Sequence, residues 1–118
     1  MKKLVKLPTL RKKADKILQE WGRRKYSKSG CLICGRQYNC LHHYYRKGAS
    51  TTLRYWESNC IPICVRCHYL HHHTQDPSIH NAINRIMGAK WLKDLEKKKQ
   101  EQITNLRKHY NEAIKKYE

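Results

Sequence analysis

Two Cys-x-x-Cys pairs, Cys31/Cys34 and Cys64/Cys67, constrain what this chain can fold into more than any other feature. Two such pairs are a specific signature of a tetrahedral zinc site, each pair forming a tight knuckle. Gly35, directly after the first pair, allows the turn that aims both thiolates at one ion. The 29 residues between the pairs exceed the roughly 15–20 of common zinc ribbons, so a substantial element is inserted between the knuckles. A chain of 118 residues, 39% hydrophobic and without phenylalanine, buries only a limited core, and a structural Zn²⁺ would help it fold.

The six cysteines could instead form a secreted disulfide framework. MKKLVKLPTL has a basic start but no sustained apolar run, so no secretory leader is expected. No segment approaches the roughly 18–20 apolar residues of a membrane span. A cytoplasmic location follows, and in a reducing cytoplasm paired Cys-x-x-Cys spacing favours zinc over disulfides. Cys40 and Cys60 fall outside the pairs and read as small buried residues, with either left open as an additional ligand.

Lysine and arginine total 26 against 9 acidic residues, a formal charge of +17. That balance points to a polyanionic partner, because neutralising phosphates supplies most sequence-independent nucleic-acid affinity. A basic ribosomal or histone-like protein without enzymatic activity would carry the same balance.

The fold class expected is α+β: a small zinc-stabilised core at 30–75 between a basic N-terminal helix and linker at 1–29 and a C-terminal helical arm at 76–118. In the first part, Leu7, Leu10, Ala14, Ile17 and Trp21 form one helical stripe. Thr9 is its expected N-cap, and Gly22 with Arg23-Arg24-Lys25 its end. Asn39 to Arg46 reads as a strand, Leu53 to Trp56 as a second extended piece, and Asn59 to Ile63 as the approach to the second knuckle. Pro62 argues against a central, fully hydrogen-bonded strand there. His68 to about His73 continues as a helix. Asp76-Pro77 starts another, with Asp76 as N-cap, Pro77 at the first helical position and Ile79, Ile83, Ile86 and Met87 on its buried side. Gly88 caps it. A last helix is expected from about Ala89 to Tyr117, carrying Trp91, Leu92 and Leu95, then Ile103, Leu106, Tyr110, Ala113 and Tyr117. Its second set has the spacing to pack against the N-terminal stripe.

The insert carries the chemistry. His42 and His43 sit at a strand end, where neighbouring side chains face opposite ways, so one can ligate a metal while the other faces a scissile phosphate. His68 and His72, four apart on a helix, lie on one face and can share a cation, with His71 as the rival to His72. Asn59 gains interest only from its position between these clusters.

The order His42-His43, Asn59, His68-x3-His72 resembles the HNH, or ββα-metal, endonuclease superfamily. More narrowly, CLICG, HHYYRKGASTTLRYWESNCIPICVRCH and INRIMG are similar to the phage NinG (Rap) recombination endonucleases. In those, a CxxCG knuckle, a His-Tyr-Arg strand, a Leu-Arg-aromatic segment, an Asn and a second CxxC occur in this order. The likeness runs from about Leu7 to Tyr117. It implies a zinc-pinned ββα-metal core that cuts branched or single-strand-containing recombination intermediates. His43 would be the general base, and Asn59 would hold the His43 loop. His42, His68 and His72 would bind one catalytic Mg²⁺ or Mn²⁺, which would stabilise the phosphorane and the leaving oxygen. Arg46, Lys47 and Arg54 would be phosphate contacts. The partner implied is DNA and not a membrane, with a homodimer compatible, and a phage-encoded chain would act in the host cytoplasm. Two other readings stand beside this one. The chain could be a non-catalytic, zinc-stabilised nucleic-acid-binding module whose histidines form a surface, or an HNH nuclease of restriction or homing type.

Overall fold

The computed structural model describes residues 4–73 and 77–118, with the backbone alone at 71–73. Its elements run α1 (Leu7–Tyr26), β1 (Cys40–His43), a short 3-10 turn (Glu57–Asn59), β2 (Cys60–Ile63), α2 (Val65–His73), α3 (Ser78–Met87), α4 (Ala89–Lys99) and α5 (Leu106–Tyr117). The result is a mixed fold of helices around a two-stranded sheet. None of the described helices is long and apolar enough to cross a membrane.

The strands pair antiparallel, with Cys40 opposite Ile63, Leu41 opposite Pro62 and His43 opposite Cys60. Strand alternation sends Leu41 and Cys60 into one apolar cluster with α1 and α5, and Ile61 and Ile63 into a second with α3 and α4. The small sheet is therefore covered on both faces. Its outer edges are also satisfied. The Gln19 side-chain amide accepts from the Leu41 amide at 3.0 Å and donates to the Leu41 carbonyl at 3.1 Å, taking the place of a third strand. Pro62, which has no N–H to give, accepts from the Leu32 amide at 2.9 Å.

Several local expectations are corrected. α1 has Lys6 at its N-cap, without a side-chain cap, and Thr9 lies inside the helix. Pro8 is tolerated there because first-turn amides have no helical partner. The helix also runs through Gly22, and its basic last turn, Arg23 to Lys25, suits the negative end of the dipole. Its buried line is Leu10, Ala14, Leu18 and Gly22, with Leu7, Ile17 and Trp21 flanking. Leu53 to Trp56 is a turn and not an extended strand, closed by Trp56 N–H to the Leu53 carbonyl at 3.1 Å. Pro77 is the N-cap of α3 and not its first helical residue, while Asp76 lies outside the described residues. Ile86 is exposed, and Ala82 takes its place in the core. Gly88, with φ of 91°, ends α3 as expected.

The single C-terminal helix is in fact two. Trp91, Leu92 and Leu95 pack into the α3/α4 cluster, whereas Tyr110, Ala113, Ile114 and Tyr117 pack into the α1 cluster. One straight helix cannot serve both. The chain turns at 100–105, and Asn105 restarts it by accepting the Lys108 amide at 3.0 Å. α5 then lies along α1, as its spacing predicted, while Leu106 is left exposed.

Gly22 gives a direct test of this packing. A Cβ there would sit 2.6 Å from Leu41 and 2.7 Å from the Tyr38 hydroxyl. On an open helix, glycine to alanine is stabilising by about 1 kcal/mol. Here overpacking reverses the sign, and Gly22→Ala is expected to lose about 1–3 kcal/mol in urea unfolding. A stabilised variant would show that β1 does not lie against α1 at this position.

Candidate functional site

The two knuckles converge. The first is closed by the Gly35 amide bonding the Cys31 carbonyl at 2.9 Å, with Gly35 at φ of 74°. The second joins the end of β2 to the first turn of α2, where the Cys67 amide bonds Cys64 Sγ at 3.4 Å. Cys34 Sγ lies 3.5 Å from Cys64 Sγ and 3.8 Å from Cys67 Sγ. All four ligand atoms of Cys31, Cys34, Cys64 and Cys67 fall within 4.8 Å of one another. A tetrahedral ion with Zn–S bonds of 2.3 Å sets sulfurs about 3.8 Å apart. The cluster therefore has the geometry to hold a metal ion such as zinc. Its electrostatics agree. Burial pushes the Cys64 thiol up, yet the Cys67 amide and the surrounding thiols bring it down to about 7. Burial and the same neighbours push Cys67 up. Cys64 gives up its proton readily, and a cation is what lets Cys67 follow.

His42 and His43 end β1, both buried. His43 Nε2 lies 2.8 Å from the Arg54 carbonyl oxygen. A carbonyl only accepts, so Nε2 carries the proton and Nδ1 keeps its lone pair. Burial lowers the His43 pKa to about 4; the Arg54 carbonyl opposes the shift, and the Lys47 and Arg54 charges add to it. The ring is neutral at neutral pH.

Asn59 is fully buried. Its side chain accepts from the Tyr45 amide at 2.8 Å and donates to the carbonyls of Tyr45 and Leu53, each at 3.1 Å. It thus ties both ends of the loop that follows His43. The far end of that loop is fixed by a partner the sequence did not reveal. Asp15 on α1 takes Arg54 in a two-pronged pair, Nε at 2.9 Å and Nη2 at 2.6 Å, and accepts the Tyr55 hydroxyl at 2.9 Å. The Arg54 guanidinium, expected to grip phosphate, is instead engaged inside the protein, while Arg46 and Lys47 are exposed.

This clamp has a testable contribution. Burial raises the Asp15 pKa, but hydrogen bonds from Arg54 and Tyr55 outweigh it and the net shift is downward. A carboxylate with a depressed folded pKa stabilises above its ordinary value of 3.8 and loses that contribution as pH falls below it. Asp15→Ala is expected to cost about 1.5–3 kcal/mol at pH 7, and less at an acid pH below the ordinary carboxylate value. Urea titrations at the two pH values measure it; equal losses at both would mean that the ion pair is not the source.

A cavity of about 470 Å³ opens beside the strand end, lined by His42, His43 and His68 with Gln19, Cys40, Arg46 and Lys47. The ring centroids of His42 and His68 are 5.8 Å apart. The backbone of α2 continues through 71–73, but the side chains of His72 and its rival His71 lie outside the described residues. The structure thus brings His42, His43 and His68 to one cavity, while Asn59 ties the loop that follows His43. Among the described residues, the donors lining the cavity are imidazoles and the Cys40 thiol, without a carboxylate. Mg²⁺ and Mn²⁺ prefer oxygen ligands, so the hard cation expected from the resemblance does not match this set. A borderline ion does.

The family model described as bacteriophage lambda NinG protein matches residues 1–118. Comparison with curated proteins and with solved structures gives no match.

Proposed function

The chain belongs to the NinG family, and on that premise we propose that it is a metal-dependent DNA endonuclease with a ββα-metal (HNH) core. Its substrates are branched or partly single-stranded recombination intermediates, met in the host cytoplasm of a phage. The observation that carries this reading is the 2.8 Å contact between His43 Nε2 and the Arg54 carbonyl. It leaves a neutral imidazole with an unprotonated Nδ1, on a residue that lines a basic cavity, which is what a general base for water requires.

Water attacks the phosphorus as its proton passes to His43 Nδ1, and the P–O3′ bond breaks, the leaving O3′ taking a proton from solvent water to become the 3′-hydroxyl. The imidazolium that forms donates more strongly to the Arg54 carbonyl. DNA phosphate entering beside it raises the base from its low resting pKa, since a nearby anion favours the charged form. Asn59 and the Asp15–Arg54 clamp hold that carbonyl still. Arg46 and Lys47 contact phosphate, while Arg54 positions. A divalent cation held by His42, His68 and His72 would supply charge stabilisation to the phosphorane and the leaving oxygen. Zn²⁺ in the four-cysteine site would pin the core.

The charge of +17 makes a separate prediction. If six to ten phosphates are contacted, affinity for DNA should fall by about 10³–10⁵ between roughly 50 and 200 mM salt. Fluorescence anisotropy on one labelled junction measures this, and a flat salt profile would remove charge as the source of binding. The function itself is tested by a cleavage panel of junction, D-loop, flap and linear duplex across Mg²⁺, Mn²⁺, Co²⁺ and Zn²⁺. Cuts that follow strand topology support the reading. Cuts fixed by sequence on linear duplex would instead indicate a restriction- or homing-type nuclease.

A further inference from the structure

We propose that Cys40 is a ligand of the cation held by His42 and His68, so that the cavity is a thiolate–imidazole site for a zinc-class ion. This rests on reading the cavity as a cation site, and it changes which cation that is.

Cys40 Sγ lies 3.5 Å from His68 Nδ1. An ion with Zn–S of 2.3 Å and Zn–N of 2.0–2.1 Å in tetrahedral array places those two atoms about 3.5 Å apart. The separation, a thiol–imidazole hydrogen bond without the ion, matches the bite of a single ion. His42 follows Cys40 by two residues on the same strand, so both leave the same face of β1. Two imidazoles sharing one tetrahedral ion bring their centroids to roughly 5 Å, and those of His42 and His68 stand at 5.8 Å. Among the described residues only the four cysteines already stand as a ready group of three or more donors, so His42 has to turn toward the ion as it binds.

The two donors of the short contact are anchored to the same rigid unit. Cys40 pairs with Ile63, the residue before Cys64. The His68 amide bonds the Cys64 carbonyl at 3.1 Å. The four-cysteine cluster therefore fixes the spacing between Cys40 and His68, and the second site is built on the first. The other unpaired thiol behaves differently. Cys60 Sγ turns to the Trp56 carbonyl at 3.4 Å and is not among the described residues lining this cavity. Thiolate and imidazole together select zinc, cobalt and similar ions, and these are the donors that the described residues bring to the cavity.

The test is X-ray absorption on wild-type protein loaded with two zinc ions. About five sulfurs shared over two ions are expected, against about four if the second ion has no thiolate. Cys40→Ser should return the count to about four and weaken the second ion at least about tenfold. Its zinc content in the first site and its helical circular dichroism check that it is folded. A second ion without sulfur in wild type, a second-ion affinity unchanged in Cys40→Ser, or no second ion at all overturns the proposal. Cleavage is scored separately on the same samples. If the second ion carries the Cys40 sulfur and DNA stays intact with every cation, the nuclease reading fails and the ligand assignment stands. If DNA is cut and the second ion carries no sulfur, only the ligand assignment fails.

Discussion

Replacing His43 with alanine is expected to lower the single-turnover rate of DNA cleavage by about 10²–10⁴-fold, the usual worth of a positioned base. Zinc content and DNA affinity should stay near wild type. His43 is buried and gives its Nε2 proton to the Arg54 carbonyl, so its loss also leaves that carbonyl without its donor. A stability cost of about 1–3 kcal/mol is expected alongside, and rates must be compared where both proteins are folded. His68→Ala should differ, because it weakens cation binding. Its defect should be partly relieved by raising the cation concentration, while that of His43→Ala should not. Acid gives a second signature. The folded pKa of His43 is about 4, below the ordinary 6.5. Its neutral form therefore favours the native state fully above 6.5, and that advantage drains away as pH falls towards 4. Wild type should lose stability across this window more steeply than His43→Ala. If His43→Ala cuts as fast as wild type at matched zinc content, another group activates the water.

Cys64→Ser should have the largest effect on the fold. The four-cysteine cluster joins both knuckles to β2 and the first turn of α2, and the second apolar cluster includes Cys31, Cys64 and Cys67 themselves. For structural zinc, binding energy is folding energy, about 10–16 kcal/mol for small zinc modules. That equals or exceeds the whole stability of an ordinary domain, about 5–15 kcal/mol. The variant is expected to lose its zinc and its cooperative unfolding transition, as should wild type treated with a strong chelator. Metal analysis with circular dichroism reads both. A zinc-free Cys64→Ser protein with the wild-type melting transition would show that packing of α1, α5 and the sheet suffices.

What the sequence made legible is what local spacing encodes. Cys31/Cys34 and Cys64/Cys67 are close in the chain, so their pairing into knuckles needs no knowledge of the fold. The stripe on α1 and the spacing of Tyr110, Ala113 and Tyr117 predicted their contact for the same reason. Contacts fixed only by the tertiary arrangement were not visible. Asp15 looks like an isolated acid in a basic helix, and nothing local links it to Arg54, 39 residues away. Gly22 read as a helix stop because glycine is a weak helix former; it is inside the helix because Leu41 needs the space. The break between α4 and α5 has no proline or glycine to announce it, and follows from two apolar sets that serve different clusters. Cys40 read as a small buried residue with a ligand role left open, and only the folded structure brings it to His68. Asn59 could be singled out by its place between histidines, but its three hydrogen bonds depend on how the loop folds back.

The most direct measurement of the central claim is cleavage of an end-labelled four-way junction by zinc-loaded wild-type protein, with divalent cations added in turn and the new ends analysed. The expected result is strand cuts that require an added cation, stop with chelator, and leave 3′-hydroxyl and 5′-phosphate ends. Tight, salt-sensitive binding of the junction with every strand intact under every cation would contradict it, and would leave a nucleic-acid-binding module in place of a nuclease.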